Sequence, residues 1–296
     1  MTDQQFTDPA EIRHPIGRSG SFSLNNISGD IRVRGTDTDE AVVVARSSRG
    51  RQEWLPIAVR KAEGMLAIAI EQKGPFFGWG RGRADVEFDI TLPRGARVDI
   101  TAVSADIQAT GLVGEQSYKT VSGDVALERV GGRISLTSVS GDVRLEGTQL
   151  VEPRAGTTSG DLEITAPNLR AMQLRTVSGD AQVRGGFDTG ALHTIETVSG
   201  DVDIESTTGL TVEFRKGIDL GGGLKQRVVG DGAARLRFRS LSGDLHVMSV
   251  GGERGVRDQP FAPPQPNSLE ILQALERGEI DIEEAQRRLE GAGSRG

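Results

Sequence analysis

Seven copies of the tripeptide Ser-Gly-Asp place carboxylates at regular intervals along this chain of 296 residues. Five central aspartates follow one another at steps of 18, 19, 19 and 21 residues: Asp124, Asp142, Asp161, Asp180 and Asp201. If they were stacked, their oxygens could bind Ca²⁺, which takes about six to eight oxygen ligands. Calcium-binding repeats use a denser pattern of about nine residues. The spacing therefore favours structural aspartates and no metal site, with a calcium-stabilised repeat module as an alternative.

Carbohydrate binding or cleavage is the second candidate chemistry. Glycoside cleavage requires paired carboxylates, for which Glu163, Asp203 and Glu205 are the exposed candidates. Aromatic residues that could stack on a sugar make up only 4% of the chain, and Tyr118 is its single tyrosine. The absence of cysteine excludes a thiolate zinc site and a cysteine nucleophile. We predict a non-catalytic protein without a cofactor, and a carbohydrate-binding or carbohydrate-active protein is the alternative.

The repeated tripeptides are predicted to form corners between strands. Glycine adopts left-handed backbone conformations without a Cβ penalty, and Ser and Asp side chains bond nearby turn amides. One variant copy carries Ala105 in place of glycine; a left-handed Ala would cost about 1 kcal/mol, so this corner is expected to differ. The predicted structural turn residues are Gly123, Asp124, Gly141, Asp142, Gly160, Asp161, Gly179, Asp180, Gly200, Asp201, Gly243 and Asp244.

The residues after each corner alternate between apolar and polar, as in Val143-Arg144-Leu145. This alternation is typical of a half-buried strand. A repeat of about 20 residues leaves no room for a crossover helix, so each unit must pair its backbone with the units above and below. The sequence therefore predicts an all-β fold, a parallel β-solenoid (β-helix). The 43-residue interval between Gly200 and Gly243 suggests that one intervening copy has lost its signature.

Changes in composition divide the chain into four predicted parts. Residues 1–21 are expected to form an N-terminal tail. Residues 22–250 form the solenoid, in which the strands of 22–100 cap the first coils, because an uncovered end would be an aggregation-prone edge. A linker rich in Pro and Gly follows at 251–267. Residues 268–291 form the last part.

This last part is predicted to be a small α-helical hairpin. Two N-cap signatures precede runs with apolar residues on one helical face. A hairpin of this size cannot hold a core alone. We therefore expect it to bind a protein partner or to mediate self-association, with Leu272, Leu275 and Leu289 as candidate contact residues.

Residues 74–83 combine aromatic and basic side chains among glycines. The glycines and Pro75 exclude a helix, so the segment is predicted to be a loop tip. Its aromatic side chains either fold back onto the core or dock on a protein partner or an anionic membrane surface. The candidate interaction residues are Phe76, Phe77, Trp79, Arg81 and Arg83.

Charge and hydropathy limit the possible partners and location of the protein. The formal net charge of −7 is spread along the chain, which argues against binding to nucleic acid. The N-terminal residues contain no apolar run typical of a secretory signal. We therefore expect a cytoplasmic protein, with peripheral contact at the inner membrane face as an additional expectation.

The repeated hexapeptide, as in Thr120–Val125 and Thr197–Val202, resembles the bacterial putative-adhesin family, a domain of unknown function with a β-solenoid. The lead-in Asp89–Pro93 is similar to the same family, and the resemblance covers about residues 20–249. The C-terminal segment resembles the short helical-hairpin modules attached to such proteins. In Gram-positive relatives these architectures are linked to envelope-stress sensing. The resemblance therefore implies a scaffold or interaction protein, with a role in envelope stress as an expectation.

Overall fold

A computed structural model describes most of the repeat region. The described residues are 6–48, 54–71, 85–216 and 225–249. Every regular element among them is a β-strand, which confirms the all-β prediction. The predicted aromatic-basic loop, linker and helical hairpin lie outside the described residues.

Seven strands form the N-terminal end of the sheet structure: β1 (Ala10–Pro15), β2 (Ser21–Asn25), β3 (Ile31–Thr36), β4 (Glu40–Ser47), β5 (Ile57–Ala62), β6 (Met65–Ile70) and β7 (Val86–Pro93). β2 and β3 form one coil, which pairs in parallel with β6 and β7 on one side. β4 and β5 then add antiparallel to β7 and β6, and β1 adds antiparallel to β4. The change from parallel to antiparallel pairing closes this end of the stack.

Ten strands build the repeated coils: β8 (Arg97–Thr101), β9 (Ile107–Thr110), β10 (Gln116–Ser122), β11 (Val125–Ser140), β12 (Val143–Ser159), β13 (Leu162–Leu169), β14 (Gln173–Ser178), β15 (Ala181–Phe187), β16 (Leu192–Ser199) and β17 (Val202–Ser206). Their ladders are parallel and place equivalent repeat positions side by side, as in Val125 with Val143 and Val143 with Leu162. β11 and β12 each run through two faces, with irregular register where they bend. The result is a solenoid-like stack of coils.

Four strands form the C-terminal end: β18 (Leu210–Lys216), β19 (Lys225–Val229), β20 (Ala234–Ser240) and β21 (Leu245–Ser249). β20 inserts between β16 and β18, and β21 pairs with β17. The amide of Asp244 donates to Asp201 Oδ1 at 2.9 Å. The expectation of a lost intervening copy is therefore wrong. β18 and β19 follow β17 in sequence but lie beyond β20 in the stack, and the corners at Asp201 and Asp244 stack directly on each other.

The core consists of aliphatic files, in which one side chain from each coil lies above the next. One such file is completely buried and contains Leu127, Leu145, Ile164, Val183 and Ile204. Burial of an aliphatic side chain of this kind contributes about 1.5–3 kcal/mol. Inward-facing apolar residues therefore hold the coils together along the whole stack.

The N-terminal segment is more ordered than the predicted tail. β1 pairs with β4 over six residues and buries Ile12, and Phe6 bridges to Leu55. Ser28 bridges to Ser104, so the first Ser-Gly-Asp copy belongs to the stack and not to a separate cap. The prediction of a tail over residues 1–21 is corrected for residues 10–21, because their alternating apolar side chains complete the core at this end.

Candidate interaction surface at the glycine corners

The corners stack in one file because two constraints act on their glycines. Five of the glycines have φ between 119° and 131°: Gly123, Gly141, Gly160, Gly179 and Gly200. A Cβ on Gly141, for example, would collide with the carbonyl oxygen of Gly123 in the preceding corner. Any residue larger than glycine is therefore disfavoured at these positions, both by the backbone conformation and by the close approach of the preceding coil.

The two ends of this file depart from the pattern in different ways. Gly243 does not have a positive φ, but a Cβ there would still collide with the carbonyl oxygen of Gly200. Ala105 is not left-handed either, as expected for the variant corner. Gly123 is the next corner residue in the file and already takes the positive φ.

Each aspartate of the repeat bonds to the next coil through the backbone. From Asp124 to Asp244, the amide of each corner Asp donates to Oδ1 of the preceding corner Asp at 2.8–2.9 Å. We call the six carboxylates that accept these bonds the aspartate file: Asp106, Asp124, Asp142, Asp161, Asp180 and Asp201. All six residues are exposed. Within the described residues, none of these carboxylates forms an ion pair.

The aspartate file shows no metal-binding arrangement. Among the described residues, no group of three or more His, Cys, Asp or Glu side chains is placed to hold a metal ion. One oxygen of each carboxylate is already held by the amide of the next coil. Each carboxylate of the aspartate file therefore links its own coil to the next one through a hydrogen bond with the backbone.

From the corner at Ser122 onward, the residue two positions before each corner serine faces inward and carries a hydroxyl. Thr120 Oγ1 donates to the carbonyl oxygen of Ser122 at 3.1 Å, and Thr157 makes the equivalent bond to Ser159 at 3.2 Å. These bonds satisfy corner carbonyl groups from inside. The corresponding hydroxyls of Thr176 and Thr197 are buried without a partner. The repeated hydroxyl residue thus forms this hydrogen bond in some coils only.

The residue directly before each corner serine faces outward and is aliphatic in most coils. These side chains define the valine file: Val103, Val121, Val139, Val177, Val198 and Leu241. Each exposes between 43% and 49% of its surface. The backbone register of the adjacent serines, such as Ser122 with Ser140 and Ser159 with Ser178, places them one above another. Thr158 occupies the same position in the coil between Val139 and Val177.

The valine file is an unusual feature of the described surface. Its six members are half of the twelve large apolar side chains that are exposed in the described residues. The file runs over seven coils, and stacked strands are about 4.8 Å apart, so it is about 30 Å long. Single exposed aliphatic side chains are common on proteins, but a contiguous apolar strip indicates an interaction site.

A shallow acidic groove of about 580 Å³ lies on the other side of the corners. Its polar lining includes Asp124, Asp142, Asp161, Asp180 and Asp203. Arg144 is the single basic residue that lines it. The corner therefore carries an aliphatic strip and an acidic strip side by side.

Two of the three carboxylates considered for carbohydrate chemistry, Glu163 and Glu205, are engaged in ion pairs. Glu163 lies 3.6 Å from Arg144 and 3.9 Å from Arg184, and Glu205 lies 3.0 Å from Arg184. Tyr118 is fully buried, and its hydroxyl donates to Gln116 Oε1 at 3.1 Å. Burial raises the pKa of this hydroxyl. The single tyrosine is therefore a core residue and not a platform for a sugar ring.

The sequence predictions missed the valine file. Its signal is present in the repeat, because alternation places Thr120 inward and the following Val121 outward. An aliphatic residue recurring at an outward position is not required by the core. The candidate interaction residues Phe76, Phe77, Trp79, Arg81 and Arg83, and Leu272, Leu275 and Leu289 in the C-terminal segment, lie outside the described residues.

The parallel stack with a glycine corner in each coil defines a solenoid-like repeat protein. The family profile of Toastrack DUF4097 matches residues 19–216. The chain therefore belongs to the Toastrack DUF4097 family, in agreement with the resemblance seen in the repeated hexapeptide.

Several solved structures are similar to this chain at low sequence identity. A putative adhesin from Bacteroides fragilis is 12% identical with a TM-score of 0.48, over 83% of this chain and 98% of that one. A putative cell adhesion protein from Clostridium sporogenes is 11% identical with a TM-score of 0.25, over 82% and 100%. A putative lipid binding protein from Parabacteroides distasonis is 11% identical with a TM-score of 0.24, over 82% and 97%. No curated protein matches the sequence.

Within the described residues, no helix has the length and apolar character required to cross a membrane.

Proposed function

We propose that this protein is a non-catalytic interaction protein that binds a polypeptide partner along the valine file. The single observation that supports this proposal is the file of six exposed aliphatic side chains at the corners, which is interrupted only by Thr158. A strip of this length loses water contact when a partner covers it, and each Å² of apolar surface removed from water contributes about 25 cal/mol. Among the residues that the structure describes, the flat faces carry no comparable file of exposed aliphatic side chains.

The flat faces instead carry ion pairs between coils. Arg175 pairs with Glu196 at 2.6 Å, and Arg133 pairs with Glu152 at 3.3 Å. Exposed pairs of this kind contribute only about 0–1 kcal/mol each. These pairs neutralise charge on the faces. The corner, by contrast, exposes aliphatic side chains and carboxylates without an ion-pair partner among the described residues. The corner is therefore the preferred contact surface in this proposal.

The other expected contacts form part of the same proposal. A C-terminal helical hairpin with Leu272, Leu275 and Leu289 would add a second protein contact or self-association. The aromatic-basic segment at 74–83 would provide peripheral contact with a partner or with the inner membrane face. A cytoplasmic location and a role in envelope-stress sensing complete the proposal.

Quantitative capture from the native host tests the proposed function. The bait is the full chain, and the variant V121T/V139T/V177T removes apolar surface while keeping β-branched side chains. Thr158 already occupies an equivalent position, so the variant is expected to fold. The control variant L150T/V228T removes two exposed aliphatic side chains elsewhere. We expect partners that are lost at least fivefold with the file variant and retained with the control.

Equal capture by all three proteins would contradict a role for the valine file. Deletion of residues 267–296 provides a separate arm for the hairpin. If this deletion abolishes capture while the file variant does not, the interaction role stands but its surface is the C-terminal segment.

A further inference from the structure

We infer that the valine file and the aspartate file together bind an amphipathic polypeptide segment whose aliphatic side chains are flanked by Lys or Arg. This inference rests on the proposed interaction function and specifies the chemistry of the partner. It follows from the juxtaposition of two strips that run along the same edge of the stack.

The two files are parallel because their members occupy fixed positions on either side of the same corners. Val121 and Asp124 are separated only by Ser122 and Gly123, and the same spacing recurs in each later coil of the file. At about 4.8 Å per coil, the valine file extends for about 30 Å and the aspartate file for about 24 Å. A helix of about 20 residues has the length of the valine file, since it rises about 1.5 Å per residue. An amphipathic helix in an apolar groove is an established mode of peptide recognition.

The charge of the corner selects a basic partner. The six carboxylates of the aspartate file have no ion-pair partner within the described residues, whereas Glu152, Glu163 and Glu196 on the faces are each paired with arginine. Cations that lie opposite an unpaired row of carboxylates gain favourable electrostatic energy along its whole length. A segment with acidic flanks would instead be repelled.

The carboxylates are oriented before any partner binds. The amide of Asp142 holds Asp124 Oδ1 at 2.9 Å, and the amide of Asp161 holds Asp142 Oδ1 at 2.9 Å. The second oxygen of each group can accept a hydrogen bond from a partner's Lys or Arg. A fixed acceptor loses less conformational freedom on binding than a mobile one. The backbone ladder thus gives the acidic strip a repeating geometry.

The same charges disfavour two other occupants of this surface. Anionic lipid head groups would approach a row of carboxylates and be repelled. A second copy of the chain would bring a further six carboxylates to the interface. The apolar strip is therefore explained best by a heterologous basic segment.

The inference is tested with a designed probe and the full chain. The probe is a fluorescent 21-residue peptide of three Leu-Lys-Lys-Leu-Leu-Lys-Leu repeats, and its control replaces each Lys by Glu. Fluorescence anisotropy at low and physiological salt gives the affinities. We expect the Lys peptide to bind at least tenfold more tightly than the Glu peptide.

Two matched variants separate a specific site from general attraction to an acidic protein. D124N/D142N/D161N removes three charges from the file and retains an oxygen that accepts the amide bond. E128Q/E146Q/D99N removes three exposed charges elsewhere. We expect the first variant to weaken Lys-peptide binding about tenfold and the second less than twofold. Equal weakening by both variants would overturn the inference.

The valine-file variant V121T/V139T/V177T completes the test. It should weaken Lys-peptide binding about tenfold relative to L150T/V228T. Sedimentation of the wild type and this variant tests whether a second copy of the chain covers the surface instead. Self-association that depends on the valine file would overturn the basic-partner inference. If host capture depends on the valine file but the Lys peptide does not bind, the partner chemistry is wrong and the interaction function stands.

Discussion

The corners and the flat faces of this stack are built from the same repeat but are stabilised differently. The faces depend on aliphatic side chains inside and exposed ion pairs outside, as at Leu145 and Arg175. The corners depend on backbone geometry, because the corner glycines and aspartate amides contact the preceding coil directly, and threonine hydroxyls such as that of Thr120 bond within their own corner. The comparison shows that corner residues tolerate less change in shape than face residues, although many corner side chains are exposed.

The largest expected effect comes from adding one methyl group at a corner. We expect Gly141→Ala to lower the free energy of unfolding by about 3 kcal/mol, because the positive φ and the carbonyl oxygen of Gly123 both oppose a Cβ. Gly156→Ala on a face is the control, since its nearest neighbour, the Arg175 carbonyl oxygen, is 3.8 Å away. Urea unfolding of both variants measures the difference. Equal effects would break the distinction between corner and face.

A buried histidine between coils gives the second effect. His193 Nδ1 accepts from the Met172 amide at 3.3 Å, and Nε2 lies 3.0 Å from the Asp188 carbonyl oxygen. Its ring packs edge-on against Phe187 with centroids 5.0 Å apart. We expect His193→Ala to cost about 2 kcal/mol at pH 7, because two hydrogen bonds and this packing are lost. Thermal unfolding monitored by circular dichroism tests the prediction.

The same histidine should make stability depend on pH. Burial lowers the pKa of His193, and this outweighs the carbonyl bond and the charge of Asp188, which raise it. The unfolded chain therefore binds a proton near pH 6.5 that the folded chain does not bind. The free energy of unfolding should fall as the pH decreases below about 6.5. We expect His193→Gln to reduce this fall between pH 7 and pH 5; an identical pH profile would contradict the assignment.

Two threonines at equivalent inward positions should respond in opposite directions. Thr120→Val removes the hydroxyl that donates to the Ser122 carbonyl oxygen and should destabilise the fold by about 1 kcal/mol. Thr176→Val removes a buried hydroxyl without a partner and should stabilise it by about 1 kcal/mol. Chemical denaturation of the two variants side by side measures the sign of the change in the free energy of unfolding for each. The same sign for both would show that the corner hydroxyls do not differ in function.

The smallest effect is expected for the ion pairs on the faces. Arg133→Gln removes a pair with Glu152 at 3.3 Å, and the Arg133 side chain is more than half exposed. The expected cost is below about 0.5 kcal/mol and should disappear in high salt. A cost comparable to that of Gly141→Ala would mean that the faces also depend on specific side-chain geometry.

The repeat spacing was sufficient to predict the all-β class and the stacking of successive coils. The alternation after each corner also identified inward residues such as Val125 and Leu127, because period 2 determines which face a side chain occupies. The paired strand β1 was missed, since its mixed polar composition hides a short alternation at Ala10 and Ile12. The lost copy after Gly200 was a wrong prediction, because sequence order does not report that β20 inserts between β16 and β18.

The sequence by itself determined the repeat, the corner glycines and the inward and outward positions of each strand. These properties are local, because φ preference and side-chain alternation depend on neighbouring residues. Only the tertiary structure decided that Val121 joins five other aliphatic side chains in one file, and that the aspartate amides from Asp124 onward bond to the preceding carboxylate. Both depend on the exact pairing of distant residues, which is determined by the backbone hydrogen bonds between coils.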